Sequence, residues 1–348
     1  MRAADVLRMA QPAPRAFAPA LVFGLLGAVS AVALLGTSAY LIARAAEQPP
    51  ILYLSIAIVG VRGFALARAS FRYLDRLAAH SAAFRALATL RVAIYERLVP
   101  LAPAGLARTR RGDLLARLVG DVDELQNFPL RVVQPLVTSL LVAGLAVVGM
   151  WLLLPAAAVA LAVALLLALV VGTVVHTAVS SRAERELAPL RGSFADETLD
   201  VISNLDVLTA FGAVDARLAR LERSDARLTR SATRRAAGAG AAGAVLSLLA
   251  GLATVASLAL GIAALTAAAL AVAGSPVSDA TTATAATVWG GAGVALGGAG
   301  LTGPVLAVLA LLPIAVFEVF AAVPLAASAW RQVHASAARV ASALPATL

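Results

Sequence analysis

Residues 51–100 read ILYLSIAIVGVRGFALARASFRYLDRLAAHSAAFRALATLRVAIYERLVP, and no glycine or proline interrupts the run from Phe64 to Val99. The first part is apolar enough to cross a bilayer; the second is amphipathic and rich in arginine. As one helix, at about 1.5 Å per residue, the stretch is roughly 70 Å long, more than twice the ~30 Å hydrocarbon core of a bilayer. About half of it must stand in water.

The rest of the composition agrees. Of 348 residues 61% are hydrophobic and 14% charged, with a mean hydropathy of +0.90, whereas a soluble domain carries about 25% charged residues. The chain is an integral membrane protein. Its net charge of +9 does not indicate nucleic acid, because base-stacking aromatics are few and the basic residues flank apolar runs, as cytoplasmic loops do under the positive-inside rule. All 28 basic residues are arginine and there is no cysteine. A Walker A loop needs a lysine, so the chain holds no conventional one. Disulfides, thiolate nucleophiles and cysteine-ligated metals are excluded as well.

In chain order, Met1 to Pro19 is polar, with Arg2, Arg8 and Arg15, and a retained first span covers about 20–43, too long an apolar run for a signal peptide. The second span is 51–73, continuing into the arginine-rich extension. A third covers 130–154, and Pro155 turns the chain into a fourth over 156–179. A long charged helical excursion follows, then a fifth span over 236–273, a Gly/Thr/Ser-rich loop containing Asp279, and a sixth over 301–330 with Pro304, Pro313 and Pro324. Twenty-six arginines fall in the N-terminal tail, the two long excursions and the C-terminal tail; Arg44 alone lies on the other side, and Arg62 lies inside span two. Both termini and both excursions are therefore expected in the cytoplasm. A carrier without a motor needs no such stalks, while one driven by a cytoplasmic motor does.

This order of long helices resembles the transmembrane domain of type I ABC exporters. The fold expected is all-α, with six transmembrane helices and long cytoplasmic extensions. Within that superfamily, SAYLIARAAEQPPILYLSIAIVGVR, FRYLDRLAAHSAAFR and PLAPAGL are similar to CydC-type subunits of CydDC exporters, with weaker support from FEVFAAVPLAASAW. The resemblance covers nearly the whole chain. It implies a bacterial inner-membrane heterodimer with a CydD-type ABC subunit, a role in cytochrome bd assembly, and a cargo described both as thiol reductants (cysteine, glutathione) and as haem. It also places coupling regions at 103–112, with Arg108, Arg110 and Arg111, and at 206–215, with Leu208 and Phe211. The sequence stops at Leu348, where the family continues into a nucleotide-binding domain. ATP and Mg are thus expected only through nucleotide-binding domains supplied elsewhere, and the polypeptide alone is not expected to hydrolyse ATP.

Two groups of residues stand out as candidate sites. Arg68, Arg72, Arg76 and His80 recur every fourth residue, and the last three share one face within about 80°. An imidazole beside guanidinium groups suits a porphyrin, through iron ligation and pairing with propionates; the plainer reading is contact with lipid phosphate or solvent. The resemblance implies a haem-binding histidine at His80, with haem b as the cofactor and Arg72 and Arg76 beside it. The second group is Arg62, about 16 Å into its span, and Glu318, about 15 residues into the sixth, where charge is costly and must face protein or a wet cavity. They are expected to line the translocation path, paired with each other or facing a partner subunit, or else to form a structural ion pair. Asp121, Asp123 and Glu124 read as solvated salt bridging rather than a metal cluster. The other histidines, His176 and His334, read as interfacial packing, and no HExxH motif or nucleophile elbow supports an enzyme. A motor-less, six-span haem-binding sensor or assembly scaffold is the alternative to the transporter.

Overall fold

The computed structural model describes residues 2–99, 120–273 and 301–343, and the regular structure among them is helical. A short amphipathic helix, α1 (Ala3–Ala10), precedes α2 (Pro14–Ala46), which Pro14 opens by presetting the first-turn φ. Arg44 pairs with Glu47 at its end, and Gln48, at φ 53°, turns the chain into the proline pair that starts α3 (Ile51–Leu98). The long helix expected from the sequence is present without a break. α2 and α3 run antiparallel in close contact, with the rings of Phe23 and Phe71 stacked at 6.3 Å.

After the one-turn α4 (Val122–Glu124) the chain makes a π-helical turn over Phe128–Val133 and enters α5 (Gln134–Leu153). The Gln134 amide donates to the carbonyl of Pro129. Pro135, which has no amide hydrogen of its own, helps fix this widened turn at the mouth of the span. Extended backbone at Leu154 (φ −152°, ψ 102°) reverses direction into α6 (Pro155–Ser203). α7 (Leu205–Ala210) connects α6 to α8 (Val214–Ala273). The sixth span is broken: α9 (Gly303–Phe320) ends and α10 (Ala322–Ala343) begins across Ala321. Pro324 supplies no hydrogen bond to the Phe320 carbonyl and crowds it, which is why the helix parts there. The Ser139 hydroxyl on α5 donates to the neighbouring Val319 carbonyl at 3.0 Å, satisfying backbone that the break loosens.

Among the described residues six helices are long and apolar enough to cross a membrane. At about 1.5 Å per residue the 48, 49 and 60 residues of α3, α6 and α8 give rods of roughly 70, 75 and 90 Å, all far longer than the hydrocarbon is thick.

The chain divides into two units, Met1–Leu166 with Leu249–Leu348, and Leu167–Leu248. In the first, an apolar core at the arginine-rich ends of the helices joins α1, α3, α4 and α10 through Val6, Leu90, Ile94, Leu125, Val333 and Val340. A second cluster, Phe17, Ala20, Ala79 and Ala82, locks α2 to α3. In the second unit the arms of α6 and α8 are bridged by Arg217–Asp200 at 3.4 Å and Arg220–Glu197 at 3.8 Å.

Candidate functional site

Because α3 is continuous, side-chain directions along it follow from 100° per residue. Measured from His80, the apolar Tyr73, Leu77 and Phe84 lie within about 60° on one side, and Arg76 and Arg72 within about 80° on the other. All six are exposed, Tyr73 at 67%, Leu77 at 57% and Phe84 at 56%. The Phe84 ring lies 5.9 Å from the imidazole, tilted by 40°. Among the described residues no carboxylate pairs with Arg72 or Arg76 within 4.0 Å. The face is thus split, with apolar and aromatic side chains on one flank of a reachable imidazole and cations without a carboxylate in salt-bridge range on the other. That donor set fits a flat, apolar, iron-bearing dianion: His80 would supply a nitrogen for the iron, Arg72 and Arg76 would pair with carboxylates, and Tyr73 and Phe84 would offer apolar surface.

The back of the same turn was not singled out by sequence. Asp75 points away from His80 and is half-buried against α2 and α5, where it accepts a hydrogen bond from the Gln134 amide. A Cβ on Gly24 of α2 would stand 3.3 Å from the Asp75 carboxylate, so glycine there lets the three helices meet around one polar contact. The available signal was an acid among arginines on the inward flank of FRYLDRLAAH. Its partner, 59 residues away, was not legible.

Glu318 contacts Arg68 rather than Arg62, with Oε1 3.6 Å from Nη2. Depth and direction explain the choice. Counted from the ends that share the Arg44 side, Glu318 lies about 23 Å along α9, Arg68 about 26 Å along α3 and Arg62 only about 16 Å. Arg62 also sits on the His80 line, about 120° round the helix from Arg68. The pairing of Arg62 with Glu318 considered from sequence is therefore not the one the fold makes. Among the described residues Arg62 has no carboxylate within 4.0 Å.

At the arginine-rich end, Asp121 and Asp123 hold helices together. Arg339 of α10 forks onto Asp121 through Nε at 2.9 Å and Nη2 at 2.6 Å, and Arg91 of α3 pairs with Asp123. His334 packs its ring 5.6 Å from Trp330, which in turn meets Phe128 at 5.7 Å. The His176 side chain lies outside the described residues, as do the region 103–112 and its Arg108, Arg110 and Arg111. The region 206–215 holds α7 and the turn after it. There Gly212 takes φ +62°, the Ala213 amide closes onto the Leu208 carbonyl at 2.8 Å, and Phe211 is 82% exposed. A left-handed glycine of this kind ends a helix without steric cost. Leu208 is half-buried, so Leu208 and Phe211 differ in accessibility.

Comparison with known proteins gives the context. Over 166 residues, 48% of this chain and 29% of the relative, the sequence is 36% identical to the glutathione/L-cysteine transport system ATP-binding/permease protein CydC of Escherichia coli (strain K12). Over 90 residues, 26% of the chain and 16% of the relative, it is 43% identical to the protein of that description from Haemophilus influenzae. Over 137 residues, 39% of the chain and 24% of the relative, it is 34% identical to the corresponding CydD protein of Bacillus subtilis (strain 168). Each aligned stretch covers less than a third of the relative. Residues 18–274 match the family described as the ABC transporter transmembrane region. That match takes in five of the six apolar helices and the rods that extend from them, so the chain belongs to the ABC transporter transmembrane family and has the all-α, six-span fold of an exporter membrane domain.

Proposed function

We propose that this chain is the membrane subunit of a heterodimeric, ATP-driven exporter of the CydDC type, moving thiol reductants (cysteine or glutathione) or haem across the bacterial inner membrane in support of cytochrome bd assembly. The observation that carries the reading is the unbroken α3, with its apolar half, its His80 face and its arginine-rich extension on one rod, in a chain similar to relatives named for glutathione and cysteine transport. In this reading both termini and the long helical extensions lie in the cytoplasm, where nucleotide-binding domains grip the regions around 103–112 and 206–215. A CydD-type subunit completes the pathway. ATP-driven closure of the motors tilts the rods and exchanges access between the two sides, so a displacement made in water reaches the spans without an intervening loop.

His80, Arg76 and Arg72 are the contact for haem, as cargo or as bound ligand, and Arg62 and Glu318 lie on the path. Haem held there would supply a redox-active iron, and His80 would hold it. The split face also supports a second reading, a haem-binding scaffold or sensor without a motor. ATP-dependent accumulation of labelled cysteine and glutathione in inside-out vesicles, paired with a Soret titration of the purified protein and of His80→Ala, separates the two. Thiol uptake that needs ATP, with a Soret band lost in His80→Ala, is the expected result. Haem binding without any uptake selects the scaffold, and identical titrations of the two proteins remove His80 from the site.

A further inference from the structure

Arg68 and Glu318 are anomalous as a structural ion pair. Counted from the helix ends on the Arg44 side, both lie about 23–26 Å along their helices, within the length that a ~30 Å hydrocarbon core takes up, where a charge turned to lipid chains is costly. Yet their side chains are 39% and 71% exposed on the surface of this chain, and their one contact is a loose 3.6 Å. A guanidinium offers five donors and a carboxylate about four acceptor positions. Among the described residues neither group makes a hydrogen bond that would use them. The surface they occupy must therefore be covered by polar matter, and what covers it must satisfy one positive and one negative group placed side by side.

Resting on the transport reading above, we propose that Arg68 and Glu318 form a clamp for the zwitterionic head of an α-amino-acid cargo, with Arg68 taking the α-carboxylate in a bidentate contact and Glu318 the α-ammonium. A ligand with both charges on one carbon matches the pair. An anion meets repulsion from Glu318, and a cation meets repulsion from Arg68. A porphyrin, whose charged groups are all carboxylates, is disfavoured here and suited to the His80 face, about 18 Å further along α3 from Arg68 and turned about 120° around it. The thiol plays no part in this recognition and stays free.

Admitting a ligand requires the two side chains to part. Glu318 lies two residues before the end of α9, at the break that Pro324 imposes. The Ala321 amide still bonds the Phe317 carbonyl at 2.9 Å, and the Ser139 hydroxyl, at 3.0 Å from the Val319 carbonyl, adds a side-chain hydrogen bond from α5 at this point. Because Pro324 removes the bond to the Phe320 carbonyl, the segment bearing Glu318 can pivot at this point against α3 with one helical bond fewer to oppose it.

The test is cargo discrimination by the complete complex in inside-out vesicles, comparing cysteine with N-acetylcysteine, which lacks the ammonium, and cysteamine, which lacks the carboxylate. The unaltered protein is expected to prefer cysteine by about tenfold over each, as loss of one charged hydrogen-bonding group implies. Glu318→Gln is expected to lose the preference over N-acetylcysteine while keeping that over cysteamine, and Arg68→Gln the reverse. Unchanged ratios in both variants overturn the clamp. So does the charge-swapped pair, Arg68→Glu with Glu318→Arg, if it restores the wild-type rate and ratios, since only a structural bridge is indifferent to polarity. Should the single variants transport nothing, competition by the same three compounds for labelled cysteine on the purified complex decides, and wild-type competition in both variants overturns the clamp. Unaltered protein that carries cysteine without discrimination refutes the clamp alone. Unaltered protein that neither binds nor carries any thiol refutes the transport reading, and the clamp with it.

Discussion

Two arginine–carboxylate pairs in this chain have the same chemistry and opposite settings. At the arginine-rich end Arg339 grips Asp121 in a fork of 2.6 and 2.9 Å, with the Asp121 side chain only 16% exposed. Beneath it lies the apolar core of α1, α3, α4 and α10. Within the spans Arg68 and Glu318 stand 3.6 Å apart and open, beside a break in the helix that carries Glu318. A pair at the water boundary loses little solvation when it closes, so it can be tight; a loose pair at membrane depth is costly unless something else completes it. The first pair orders helices, and the second is placed to be opened.

That contrast can be attacked from both ends. The largest effect is expected under the fork. Leu90, 1% exposed in the shared core, should cost about 2–5 kcal/mol on Leu90→Ala, seen as a lowered melting temperature in detergent. Asp121→Asn removes the charge from the fork and should cost about 1 kcal/mol, because Arg339 is half in water. Its cargo ratios should remain those of the unaltered protein. Arg68→Gln should shift stability by less than about 1 kcal/mol while changing those ratios, and a large loss of stability with unchanged ratios would reverse the assignment of the two pairs. Smallest of all is Arg217→Gln, which breaks the exposed 3.4 Å bridge to Asp200. A change within about 0.5 kcal/mol is expected, and a larger one would mean that this arm relies on charge as the core end does not.

Several features were readable from the chain alone. The uninterrupted run after Phe64 dictated a rod longer than the bilayer, and α3 runs to Leu98 as that run implies. Pro324 lies in the quoted sixth span, but whether a proline bends, breaks or merely decorates a helix depends on what receives the freed carbonyls. Here the Ser139 hydroxyl, from 180 residues away, donates to the Val319 carbonyl next to the freed one. The same limit hid Asp75: its spacing says only that it lies opposite His80, while its hydrogen bond needs α5 to pack where Gln134 can reach it. Glu318 reads as an expensive charge, yet Arg62, the pairing considered from sequence, lies about 1.7 turns before Arg68 on α3, since relative depth depends on where each helix enters the bilayer.

The sequence by itself determined the helices, their apolar lengths and the sides of α3, because these follow from local periodicity and from the cost of leaving backbone or charge in hydrocarbon. Only the tertiary structure decided which charges meet, which carbonyls a break exposes and which flank of the His80 face stays open. Those outcomes depend on the depth and rotation at which separate helices pack, and a shift of one residue, 1.5 Å and 100°, exchanges one partner for another.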